Sequence, residues 1–166
     1  MKRFKIRRKV KFSAQQMYAL VADVDSYPEF LPLCESMRVR GRRTTENGEV
    51  LIADMTMGYK AIRETISSQV TLTPSEPLVT VQYLEGPFSQ MENRWRFLPA
   101  DDGGCEVEFY MAYSVRNPML SFLVSQLFDK AFRRFAHAFE ARAKTVYGAD
   151  NSRSGDVPDA APEPTG

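Results

Sequence analysis

Residues 118–147 read PMLSFLVSQLFDKAFRRFAHAFEARAKTVY, a stretch with no glycine and no proline after its first position. Asn117 can cap the helix this spells, Pro118 takes the first turn where a missing N–H costs nothing, and Gly148 stands after the last turn. Such a helix is roughly 45 Å long. Leu120, Val124, Leu127, Ala131, Phe135 and Ala138 recur at helical spacing, and Leu123, Phe128, Phe132 and Phe139 widen the stripe on either side. So broad a stripe needs an extended partner. Everything upstream reads as short strands and two short helices, so that partner is one curved antiparallel sheet wrapped around the helix.

The totals bound the rest. A chain of 166 residues forms one domain and needs no staples to bury a core. No window approaches 18 consecutive apolar residues, so no membrane-spanning helix is expected, and the basic N-terminus lacks the pattern of a signal peptide. A cytoplasmic protein, peripheral to a membrane at most, is the expectation. Cys34 and Cys105 suit free thiols in a reducing compartment, and the single histidine, His137, makes a transition-metal site improbable. From 149 to 166 the chain carries four acids, one Arg and no large apolar residue except Val157, which predicts a disordered acidic tail beyond a domain spanning 1–148. That tail's −3 leaves the folded body at +4.

Residues 2–12 alternate strictly, Phe4, Ile6, Val10 and Phe12 on one face, Arg3, Lys5, Arg7, Lys9 and Lys11 on the other. Arg8 breaks the pattern by sharing the apolar parity. Ser13–Gln16 is a capping box for a helix to about Ala22, and Ser26, Pro28 and Pro32 frame a second short helix. Strand two, from Glu35 to Arg43, sets Met37 and Val39 against Arg38, Arg40 and Arg42; Asn47-Gly48 turns the chain into strand three, Val50 to Met57. Strand four, Lys60 to Thr73, carries Glu64 among Ile62, Ile66, Val70 and Leu72. Strand five runs from Leu78 to Leu84. Strand six follows Gly86-Pro87, a pair that should bulge the ladder, and strand seven points Val107, Phe109, Met111, Tyr113 and Val115 inward.

One strand, two short helices, six strands and a long terminal helix is the order of the α+β helix-grip (START/Bet v 1-like) fold, a seven-stranded sheet and helix enclosing either a solid core or a cavity. The motifs Asp23-Val-Asp-Ser-Tyr-Pro-Glu-Phe-Leu-Pro32, Arg63-Glu64, Leu84-Glu-Gly-Pro-Phe88, Asn93-Arg-Trp-Arg-Phe97 and Phe139-Glu-Ala-Arg-Ala143 with Tyr147-Gly148 stand in this order. In this combination the chain resembles the coenzyme Q-binding protein family of START-like domains, whose bacterial members are labelled RatA-type ribosome-association toxins. The resemblance implies a cavity for ubiquinone or a similar polyprenyl lipid and a carrier or chaperone role in respiration, without catalysis. It equally admits action on ribosomal subunits.

A quinone with an isoprenoid tail needs an apolar tunnel and a few polar groups. Inward positions that supply one are Met55, Met57, Ile62, Ile66, Val81, Tyr83, Phe88, Met91, Trp95, Phe109 and Met111, with Leu120, Val124, Leu127, Phe128 and Phe135 from the helix. The same residues would serve a filled core. Polar residues on apolar parities discriminate better, because an unpartnered one costs about 1–3 kcal/mol. Asn93 or Tyr113 would donate to a ring carbonyl while Glu64 pairs an arginine, or the three form an internal network. The loops at Phe30–Leu33, Met57–Tyr59, Phe88 and Met119–Phe122 supply a mouth that touches a bilayer transiently, or else tuck into the core.

If strands one and two pair, the faces carrying Arg3, Lys5, Arg7, Lys9 and Lys11 and Arg38, Arg40 and Arg42 merge into a basic patch for lipid phosphate or RNA, with no DNA partner expected. A simple solvated strand face is the alternative. Enzymatic chemistry would rest on Glu64 with Tyr113 or Tyr83 alone, and no nucleophile–base spacing supports it.

Overall fold

The computed structural model describes residues 1–151, save the side chains at 128, 129 and 149–151. The chain runs β1 (Lys2–Val10), α1 (Ala14–Ala22), a 3-10 turn (Val24–Ser26), α2 (Tyr27–Phe30), β2 (Cys34–Thr45), β3 (Gly48–Tyr59), β4 (Ile62–Thr73), β5 (Leu78–Glu85), β6 (Phe88–Pro99), β7 (Cys105–Val115) and α3 (Pro118–Asn151). The strands form one antiparallel sheet in the order β1-β7-β6-β5-β4-β3-β2. The helix-grip architecture expected from the element order is the one observed.

Local chemistry sets the boundaries. At α1, the Ser13 hydroxyl accepts from the Gln16 N–H at 3.1 Å while the Gln16 side chain accepts from the Ser13 N–H at 2.9 Å, closing the capping box. Asn117 Oδ1 accepts from the Met119 N–H at 2.9 Å and starts α3. Gly148 does not stop that helix, which runs on to Asn151. Glycine inside a helix costs about 1 kcal/mol against alanine; it does not compel an end. The tail expected from 149 begins inside α3, and its remainder from 152 lies outside the described residues.

The pairing of β1 with β2 does not occur. β1 pairs with β7 and β2 with β3, so the two strands are the opposite edges of the sheet. Nor do their cations form one free patch. Arg7 binds the buried Glu108 at 2.9 Å with Lys5 at 3.7 Å from the same carboxylate, Arg40 binds Asp54 at 2.8 Å, and Arg42 lies 2.6 Å from Asp25 and 3.6 Å from Glu49. Arg3, Lys9, Lys11 and Arg38 make no ion pair among the described residues.

Asp54 also accepts from the Ser67 hydroxyl at 2.7 Å, and that bond, followed by Arg40, holds its carboxyl below the usual range. A depressed folded-state value contributes stability that is present above about pH 4 and lost as pH falls through it. Ser67→Ala is therefore expected to lower the melting temperature at neutral pH while flattening its decline in acid. Thermal denaturation from pH 7 to pH 3 checks this; parallel curves for variant and parent would contradict it.

The long helix lies on the inner face of the sheet through Val124, Ala131, Phe132, Phe139 and Ala143, all buried. Its C-terminal half is tied down by more than packing. Glu140 pairs with Arg8, the charge out of place in the β1 alternation, and Glu29 of α2 accepts from Arg142 at 3.0 Å. The Tyr147 hydroxyl donates to the Gln16 carbonyl at 3.2 Å. From Pro118 to Leu127 no side chain makes a hydrogen bond or ion pair with the sheet among the described residues.

Both cysteines are buried, and burial pushes the thiols up, Cys34 to about 11 and Cys105 to about 12. Thiolate is the reactive form. A disulfide reagent near pH 8 is expected to label neither in the folded protein and both after denaturation; rapid labelling of the native chain would contradict this.

Candidate ligand-binding cavity

Between α3 and the sheet lies a cavity of about 140 Å³. β3 contributes Ala53, Met55 and Met57, β4 Ile66, Ser68 and Val70, β5 Val79 and Val81, and β6 Phe88, Met91, Asn93 and Trp95. Phe109 and Met111 of β7 and Phe132, Phe135 and Phe139 of α3 close it on two sides. Alternation along each strand puts every second side chain inward, and a register shift between Phe88 and Gln90 of β6 lets both Phe88 and Met91 face the same space. The grip elements seal one end with Val24, Tyr27 and Leu31, and Met37 of β2 completes the wall.

A smaller cavity of about 80 Å³ lies toward the start of α3, lined by Leu33, Tyr59, Ile62, Glu64, Pro87, Val115, Leu120, Leu123, Val124 and Leu127. Met57, Ile66 and Phe88 line both spaces, so the two adjoin. The sheet thins here. β4 pairs with β5 only from Ser67 onward, which leaves Ile62 to Ile66 without a strand on that flank. The Gly86-Pro87 turn crosses the gap: Gly86 has φ +148°, and a Cβ added there would sit 2.9 Å from the Thr65 carbonyl oxygen. Glycine is required by both the angle and the approach. Met119 and Phe122, sequence neighbours of the lining residues Leu120 and Leu123, are 82% and 68% exposed, the two most exposed large apolar side chains of the helix among the described residues.

The expected lining residues thus divide between two spaces. Met55, Met57, Ile66, Val81, Phe88, Met91, Asn93, Trp95, Phe109, Met111 and Phe135 surround the larger cavity; Ile62, Glu64, Leu120, Val124 and Leu127 belong to the smaller. Tyr83 and Tyr113 line neither. The Tyr83 hydroxyl donates to the Phe88 carbonyl at 2.9 Å and accepts from the Phe88 N–H at 3.1 Å, clamping the chain where it leaves the Gly86-Pro87 turn. Tyr113 is buried between Phe88 and Phe132, with ring centroids 5.9 and 6.1 Å away. The side chain of Phe128 lies outside the described residues.

Polar groups are few. The Asn93 amide donates to the Tyr110 carbonyl at 2.9 Å, which leaves it one hydrogen. Glu64 has no arginine partner among the described residues; Arg63, on the other face of the strand, pairs with Glu35 at 2.8 Å. Val24, Tyr27 and Leu31 of the grip segment, Met37 of β2, and Ala53, Ser68, Val70, Val79, Phe132 and Phe139 were not foreseen as lining. The apolar character of Val24, Tyr27 and Leu31 is plain in the sequence, but nothing local tells which residues of the grip segment face a space.

Residues 10–140 match the polyketide cyclase / dehydrase and lipid transport family. The chain is 33% identical over 140 residues to "Ribosome association toxin RatA" of Vibrio cholerae, covering 84% of this chain and 93% of that protein. It is 30% identical over 140 residues to "Coenzyme Q-binding protein COQ10 homolog B, mitochondrial" of Xenopus laevis, covering 82% of this chain and 56% of that one. Among solved structures, an 18 kDa protein of Caulobacter crescentus superposes with a TM-score of 0.76 at 28% identity, covering 89% of this chain and 99% of the other. An aromatase/cyclase from Streptomyces sp. R1128 shares the fold, with a TM-score of 0.77 at 15% identity and 89% and 97% coverage.

Proposed function

Since the chain belongs to the polyketide cyclase / dehydrase and lipid transport family, we propose that it binds a ubiquinone-type polyprenyl lipid between sheet and helix and acts as its carrier, in support of respiratory electron transport. The observation that carries this reading is the pair of adjoining apolar cavities. The larger, at about 140 Å³, is of the size that admits a six-membered ring or a short branched chain, as an apolar cavity of about 150 Å³ admits benzene. Dry apolar space of this extent is a cost to the fold unless a ligand fills it. Met119 and Phe122 offer an apolar contact for a membrane surface at the start of α3.

A carrier rather than an enzyme fits the lining. His137 is exposed on α3, the Tyr27 hydroxyl is spent on the Val21 carbonyl, and burial raises that phenol far above its ordinary range. Calorimetric titration with a decyl-chain ubiquinone analogue is expected to give saturable binding at one site per chain. Absence of saturable heat would overturn the reading.

The similarity to proteins named for ribosome association supports a second reading, in which the exposed cations of one sheet edge contact ribosomal RNA. It expects salt-sensitive co-sedimentation with ribosomal subunits, weakened by Arg38→Glu. Sedimentation indifferent to that reversal would remove the edge from consideration.

A further inference from the structure

Glu64 is the one charged side chain lining either of these two adjoining cavities among the described residues. The strand places it there without ambiguity. Ile62, Glu64 and Ile66 share one face of β4 and line the smaller space; on the opposite face Arg63 pairs with Glu35 and the Thr65 hydroxyl lies 2.9 Å from that of Thr56. Across the ladder from Glu64 stands Met57, another lining residue, and the strand's other flank has no partner at this level. The carboxylate is half-buried, and no hydrogen bond or ion pair engages it among the described residues.

An ionised carboxylate is an acceptor only. Set unpartnered in an apolar wall, it is satisfied by a ligand that brings a hydrogen, and it repels one that brings only lone pairs. The two oxidation states of a quinone differ in this respect. The quinol presents O–H donors; the quinone presents carbonyl oxygens.

Resting on the quinone reading above, we infer that the ring of the lipid lies where the two spaces adjoin, at Met57 and Phe88, with a hydroxyl donating to Glu64 and its chain running on into the larger space, and that the protein therefore carries the quinol in preference to the quinone. The larger cavity suits the chain, since its lining carries no charged side chain and is otherwise apolar apart from Asn93, Ser68, the Trp95 indole N–H and the Tyr27 hydroxyl, which is spent on the Val21 carbonyl.

The test is calorimetric titration of the full chain, anaerobically, with the decyl-chain ubiquinone analogue and with its reduced form, for the parent and for Glu64→Gln. The parent is expected to bind the quinol at least about tenfold more tightly, the scale of one hydrogen bond to a charged group. That ratio would raise the midpoint potential of the bound two-electron couple by about 30 mV. In Glu64→Gln, whose amide both donates and accepts, the ratio is expected to fall to within about threefold, chiefly because the quinone binds better. A gain of quinone affinity is an effect that structural damage does not produce. Equal affinities in the parent, or an unchanged ratio in the variant, would overturn the inference while leaving quinone binding intact. Failure of the parent to bind either form would overturn both.

Discussion

Ala53→Phe is expected to abolish uptake of the quinone analogue, with affinity falling by at least about a hundredfold, while the melting temperature holds or rises. Ala53 is buried in the middle of β3 and its methyl group borders the larger cavity. The phenyl group added to its Cβ takes the volume the lipid chain needs. In a filled core such a change forces off-rotamer packing and costs about 1–3 kcal/mol. Into empty apolar space it instead adds contacts, and cavity filling commonly gains about 0.5–2 kcal/mol. The two readouts together separate a ligand chamber from a core. Titration calorimetry and thermal denaturation of the same preparation supply them, and a destabilised variant that still binds would contradict the assignment.

Phe139→Ala is expected to be the most damaging single truncation in α3, costing about 3–5 kcal/mol in chemical denaturation. Phe139 is 2% exposed, and its ring meets three others edge-on: Tyr27 at 5.4 Å, Phe30 at 5.1 Å and Trp95 at 5.1 Å. Those partners come from the grip segment and the sheet, so one side chain joins three parts of the fold. Trp95 continues the cluster to Phe109 at 4.7 Å. A loss below about 1 kcal/mol would mean that the helix closes on the sheet without this junction.

These two sites mark what periodicity can and cannot reveal. The 3.6-residue recurrence through Val124, Ala131 and Phe139 identifies the buried stripe of α3, and two-residue alternation identifies the inner faces of the strands. Alternation reports a face, however, and not a depth along it. Tyr83 has the inward parity of Val81, yet the chain turns so soon after it that its hydroxyl reaches the Phe88 backbone instead of the cavity. Tyr113 has the parity of Met111 and Val115, which line the two spaces, yet its own ring packs among aromatic rings and lines neither.

Strand pairing was the least legible feature. β1 and β2 are consecutive strands with matching cationic faces, but two helices intervene and β1 finds its partner in β7, across nearly the whole chain. No local signal encodes so remote a ladder. The registry of charge offers one after the fact: Glu106 and Glu108 on β7 stand opposite Lys9 and Arg7 on β1. Cross-strand pairs of opposite charge stabilise an antiparallel ladder. The division of the lining into two cavities was likewise hidden, since it depends on where β5 stops pairing with β4. Glu64 was visible as an anomaly on an apolar parity, but the sequence suggested an arginine partner that the fold directs elsewhere.

The central claim is that the space between sheet and helix exists to hold a polyprenyl quinone. Its most direct test is organic extraction of the protein purified from quinone-rich cells, with mass spectrometry of the extract and Ala53→Phe as the control. About one quinone per chain in the parent and none in the variant is the predicted result. A parent free of quinone, or a variant carrying as much as the parent, would contradict the claim.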